Sequence, residues 1–140
     1  LTVNARSVLR EPGLFTRNER FVTLIQGEAG LAAVVMVAAV GVGHITAAYD
    51  PEVATHDAEF ARAAVRHRRY DTPKAIGRGD EVGTFHLGST SIVIFEPGRV
   101  VLDPLSAGAS MKMGAAIGRI ASPSGAARGV SSRATSGEGQ

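Results

Sequence analysis

Along residues 20–26, Phe21, Val22, Leu24 and Ile25 are interleaved with Arg20, Thr23 and Gln26, the pattern of a half-buried strand. Gly27-Glu28-Ala29-Gly30 reads as a hairpin turn, and the apolar run over residues 31–42 as the central strand that returns from it. The alanines of that run also fit a buried helix, but its length and the turn before it favour a strand, so an antiparallel pair is expected. Asp50-Pro51 ends this part of the chain. Residues 57–69 change to helical spacing, with Phe60, Ala61, Ala64 and Val65 on one face and Arg62, Arg66 and Arg69 on another, which predicts an amphipathic helix. Beyond it, residues 73–79 read as a loop, 82–85 as a short strand and 90–95 as a strand buried on both faces. Glu96-Pro97-Gly98-Arg99 is a turn with proline presetting φ at its second position. Residues 1–18 carry turn formers and arginines and predict no regular element. The fold class is mainly β with α+β character: antiparallel strands joined by Gly-rich turns and one short amphipathic helix.

Composition narrows this little. A chain of 140 residues with 44% hydrophobic content suffices for one domain with a modest core. That domain is expected over residues 1–121, because from Ser122 the chain turns to Ser, Gly, Ala and Arg and predicts a disordered tail over 122–140. A net charge of +2 does not argue for a nucleic-acid partner, and is compatible with an anionic lipid surface. The basic face expected on residues 57–69 is read as a solvated surface in preference to a headgroup contact. Cysteine is absent, which excludes disulfides and thiolate-ligated metal. The longest apolar run falls short of the about 20 residues that span a bilayer, so no transmembrane helix is expected. The first residue is Leu1, no signal peptide follows it, and the chain reads as part of something longer.

The candidate chemistry lies at Leu87-Gly88-Ser89-Thr90, just before the apolar run Ile92-Val93-Ile94-Phe95. A serine hydroxyl pressed onto the preceding carbonyl can convert that amide to an ester, most readily when the preceding residue has no Cβ in the way. Loss of the acyl group by β-elimination would leave dehydroalanine at residue 89, and loss of ammonia a pyruvoyl group capping a new amino terminus.

The surrounding motifs carry a resemblance. Arg78-Gly79-Asp80-Glu81-Val82-Gly83-Thr84-Phe85-His86-Leu87-Gly88-Ser89-Thr90, continued by Phe95-Glu96-Pro97-Gly98-Arg99-Val100, resembles the processing segment of the phosphatidylserine decarboxylase family. Val3-Asn4, Gly13-Leu14-Phe15 and Arg17-Asn18-Glu19-Arg20 resemble that family's approach to a central strand. Gly108, Lys112, Gly114, Ile117 and Gly118 resemble its closing turn, so the similarity runs from residue 1 to about 121.

The resemblance implies a proenzyme that cuts itself between Gly88 and Ser89 into two chains. It implies a lyase of phosphatidylethanolamine biosynthesis in which the pyruvoyl group from Ser89 forms a Schiff base with the amine of phosphatidylserine and, as an electron sink, assists loss of carbon dioxide. Thr90 is expected to help shape the turn. Implied with this are a peripheral position on the cytoplasmic side of the cell membrane, a homo-oligomer, and partnership of the cleaved chain with its own upstream segment. The family is thought to take the processing base from an upstream histidine and aspartate with a paired-histidine motif, and no residue here is assigned those roles.

The four histidines do not form a metal-ligating pattern, and no metal is expected. His86, three residues before Ser89, is expected on the opposite face of a strand as a bystander; His44 as a buried, satisfied histidine or a turn residue; His56 in a loop and His67 in the helix. Two other readings stand beside the decarboxylase. Met111-Lys112-Met113 resembles the modified turn of biotin-carrier domains, which would make Lys112 an attachment site. An inactive truncated fragment would expose the sheet edge at residues 20–26 and self-associate.

Overall fold

The computed structural model describes residues 3–39, 44–55, 65–87 and 90–121. In chain order its elements are α1 (Ala5–Arg10), α2 (Leu14–Arg17), β1 (Arg20–Gly27), β2 (Gly30–Val37), β3 (Ile45–Ala47), β4 (Gly83–Phe85), β5 (Thr90–Phe95), β6 (Val100–Leu102) and β7 (Gly118–Ile120). All the strand pairs are antiparallel, in three sheets ordered β1-β2-β5, β3-β4 and β6-β7. The mainly β expectation holds.

The hairpin forms where the alternating pattern puts it, with Arg20 opposite Val37 and Gly27 opposite Gly30. β2 is the central strand but ends at Val37, short of the expected 31–42; Ala38 and Ala39 are irregular, and 40–43 lie outside the described residues. Side chains of facing residues share a side of a sheet, so Phe21, Met36, Thr23 and Val34 lie on one face and Val22, Val35, Ile92, Leu24, Ala33 and Ile94 on the other. The first face meets β3–β4: Met36, Ala38 and Ile45 are buried, with Phe21, Val34, Ala39 and Phe85 packed against them. Nothing among the described residues covers the second face, Leu24 being 66% and Ile94 56% exposed.

β5 corrects an expectation. Among the described residues it is an edge strand of a sheet covered on one side, not a strand buried on both faces, because its apolar run pairs there with β2 alone and nothing covers Ile94. Glu96 ties it to the hairpin: its amide donates to the Leu31 carbonyl at 3.0 Å, and its carboxylate accepts from the Leu31 amide at 3.2 Å. The turn that follows closes with the Arg99 amide donating to the Glu96 carbonyl at 3.2 Å, and Gly98 at φ 75° takes the left-handed conformation that a Pro-Gly turn needs at its third residue.

Residues 57–69 depart further from the pattern. Residues 65–69 are exposed and irregular, so the helix expected there does not reach them, and residues 56–64, with His56, lie outside the described set. The charges of this stretch pull it elsewhere, since Arg68 leaves helical register to bind Asp50 at 3.1 Å and Glu52 at 2.6 Å. His67 is accordingly exposed and not helical. Helices appear where none was expected. α1 is started by the Asn4 side chain, which accepts from the Ser7 amide at 2.9 Å. At the end of α2 the Arg20 guanidinium donates to the carbonyls of Phe15, Thr16 and Asn18. The tail from 122 lies outside the described residues.

Candidate functional site

Gly88 and Ser89, the expected cleavage pair, lie outside the described residues, but the chain on either side of them is held. On the incoming side Phe85 faces Ile45 in the β3–β4 pair, and the His86 amide extends that pairing by donating to the His44 carbonyl at 3.1 Å. On the outgoing side Thr90 opens β5 opposite Val37. The pair therefore falls on the connection from one sheet to the other, next to Leu87, which is 60% exposed.

The alternation of strand side chains then builds a polar face. Ile45 and Phe85 turn into the core, so His44, Thr46, Thr84 and His86 stand on the opposite side of the β3–β4 pair. There the imidazoles of His44 and His86 stack with centroids 3.9 Å apart and planes 17° from parallel. The His86 Nε2 lies 3.1 Å from the Thr46 hydroxyl, and the Thr84 hydroxyl donates to Glu81. His86 is thus engaged rather than idle, and His44 is half-buried against it. Sequence reasoning missed the pair because its members come from strands far apart in the chain; the signal was the matching order of His44-Ile45-Thr46 and Thr84-Phe85-His86.

A second polar cluster is anchored by Asp50. Its carboxylate is almost fully buried and accepts from the Tyr70 hydroxyl at 2.7 Å, the Glu52 amide at 3.1 Å and Arg68 at 3.1 Å. The Tyr70 hydrogen bond, the Glu52 amide and the Arg68 and Lys74 charges hold the Asp50 carboxyl below its ordinary value, outweighing burial, which acts the other way. Burial, reinforced by the hydrogen bond and charge of Asp50, pushes the Tyr70 phenol up to about 12. Tyr49 meets Tyr70 edge-on at 6.3 Å and shares a hydrogen bond with Thr23 at 3.0 Å, joining the cluster to β1. No group of three or more His, Asp or Glu side chains placed to hold a metal ion occurs among the described residues. Nor is any described helix long and apolar enough to cross a membrane.

Comparison with known proteins decides the family. The model of the phosphatidylserine decarboxylase family matches residues 1–119. The chain belongs to the phosphatidylserine decarboxylase family. It is 42% identical over 117 residues to the phosphatidylserine decarboxylase proenzyme of Anaeromyxobacter sp. (strain K), covering 83% of this chain and 41% of that protein. To the proenzyme of Myxococcus xanthus (strain DK1622) it is 42% identical over 119 residues, covering 84% of this chain and 41% of the relative. To that of Nitrosospira multiformis it is 36% identical over 124 residues, covering 87% and 43%. The chain thus spans about two-fifths of the length of these curated relatives. No solved structure matches significantly.

Family membership also bears on Lys112. It is exposed at the first position of a turn that closes with the Ala115 amide on the Lys112 carbonyl at 3.1 Å, a geometry that alone would suit an attachment lysine. That turn lies inside the stretch the decarboxylase model matches, which removes the case for a biotin carrier.

Proposed function

We propose that this chain carries the self-processing segment of a phosphatidylserine decarboxylase, with cleavage between Gly88 and Ser89 and a pyruvoyl group formed from Ser89. The observation that carries the reading is the placement of the junction between two separately held strands. β4 is kept by β3 and β5 by β2, so a cut between residues 88 and 89 would break no strand pair. It would also leave the new amino terminus one residue from a strand already fixed opposite Val37.

The chemistry asks for little beyond that. The Ser89 Oγ adds to the Gly88 carbonyl carbon, the C–N bond breaks, and the hydroxyl proton passes to the freed nitrogen, giving an ester. Elimination removes the Cα proton of residue 89 and releases Gly88 as a carboxylate; water then replaces the nitrogen, which departs as ammonia. The carbonyl formed at residue 89, conjugated to the next amide, supplies an acceptor for the electron pair left when a bound substrate loses carbon dioxide. The β5 pairing and the Glu96 contacts hold the strand that follows that residue against the hairpin.

The relatives are named phosphatidylserine decarboxylase proenzymes, which supports both the processing step and the substrate. Peripheral association with the cytoplasmic side of the membrane and self-association belong to the same proposal, supported by the lipid in those names and by the open apolar face of Val22, Leu24 and Ile94. The test joins this chain to the upstream portion of the Anaeromyxobacter relative and follows cleavage by mass. Ser89→Ala should abolish the cut completely while leaving the melting temperature unchanged; a cut that persists in this variant removes Ser89 from the reaction.

A further inference from the structure

We propose that His86 is a positioning residue for self-cleavage, held by the His44 ring and the Thr46 hydroxyl so that the segment leading to Gly88 enters the junction in one orientation. The inference rests on the processing reading above. Three contacts meet on this one residue: its amide donates to the His44 carbonyl at 3.1 Å, its ring stacks on His44 at 3.9 Å, and its Nε2 lies 3.1 Å from the Thr46 Oγ1. Together they fix both backbone and side chain two residues before the carbonyl that must be attacked. Beyond His86 on that side only Leu87 separates the fixed point from Gly88, while Thr90 fixes the other end opposite Val37. Anchoring so short a connection at both ends would raise the fraction of time the serine oxygen spends against its carbonyl.

His86 is exposed and contributes nothing to the core of Met36, Ala38 and Ile45, so stability alone gives no reason for a three-contact anchor here. The anchor instead spends its contacts on the connection between the sheets.

Thr46 provides the discriminating variant. Thr46→Val keeps the β-branched shape that suits a strand and removes only the hydroxyl. Loss of that one hydrogen bond should slow self-cleavage about fivefold. Thr46→Ser, which retains the hydroxyl, should cleave within about twofold of the parent. His86→Ala removes stack and hydrogen bond together and should be slower than Thr46→Val. Cleavage half-times would be read by intact mass on this chain joined to the upstream portion of the Anaeromyxobacter relative, with melting temperatures measured on the same samples. Slow Thr46→Val, restored Thr46→Ser and unchanged melting temperatures establish the anchor. Parental rates in Thr46→Val and His86→Ala overturn it while leaving the processing reading intact, as does equal slowing in Val and Ser variants with lowered melting temperatures. No cleavage in the unsubstituted protein overturns both.

Discussion

At Asp50 a carboxylate with almost no exposed surface is kept ionised by one phenol, one amide and two cations, and this makes folding sensitive to pH at both ends of the scale. Its folded value lies below the ordinary 3.8, so the stability it contributes is present above that pH and is lost as pH falls further. Tyr70 works in the other direction. Its value is raised to about 12, so its contribution is complete below the ordinary 10 and disappears as pH rises through about 12. Melting temperature against pH should therefore fall at both extremes, and Tyr70→Phe should remove the alkaline part of that fall while leaving the phenol's ring contact with Tyr49 in place. An alkaline fall identical in Tyr70→Phe and the parent would contradict this. At this scale the chain disclosed part of the cluster: Asp50-Pro51 reads as a stop, and a stop it is, with the Val53 amide closing the turn on the Asp50 carbonyl at 3.0 Å. That Arg68 and Tyr70 return to it could not be read, because residues 57–69 have helical spacing with Tyr70 just beyond them, and that pattern carries no information about a buried carboxylate elsewhere.

The elements divide according to whether a local or a distant partner makes them. The β1–β2 hairpin and the Glu96–Arg99 turn are legible because each is closed by its own neighbours, through alternation in one case and Pro97-Gly98 in the other. α1 and α2 are not, since a helix of six or four residues leaves no periodicity to see and rests on an Asn4 cap and the Arg20 guanidinium. β5 was recognisable as a strand, but its exposure was not, because an apolar run fixes neither its place in a sheet nor what covers it. On β3, Ile45 is one of the two largest fully buried side chains among the described residues, with Val37 of β2 the other. Ile45 is 1% exposed, and Ile45→Ala should cost roughly 2–5 kcal/mol in denaturant unfolding. Gly83 leaves no room for a side chain: a Cβ there would sit 2.7 Å from the Thr46 carbonyl oxygen and 3.0 Å from the Met36 sulfur. Gly83→Ala should thus destabilise by roughly 1–3 kcal/mol, and an unchanged midpoint would show that β3 and β4 are not packed this closely.

For the molecule as a whole, the junction at residues 88–89 separates β1 to β4 from β5 to β7, and the two parts are joined by six facing residue pairs between β2 and β5 and by the Glu96 contacts to Leu31. The two products of the proposed cleavage should accordingly stay together through gel filtration in native buffer and separate only on denaturation. The sequence motifs made the family legible, since they survive without any contact being known, whereas the location of the junction between two sheets required the pairing of strands far apart in the chain, Ile45 with Phe85 in one sheet and Val37 with Thr90 in the other. The most direct test of the account is a denaturing intact-mass spectrum of this chain, alone and joined to the upstream portion of the Anaeromyxobacter relative. The joined protein should give two fragments split after Gly88, the second beginning with a residue lighter than serine by one ammonia. A single uncut chain in both samples, or a cut leaving an ordinary serine at residue 89, would contradict the account.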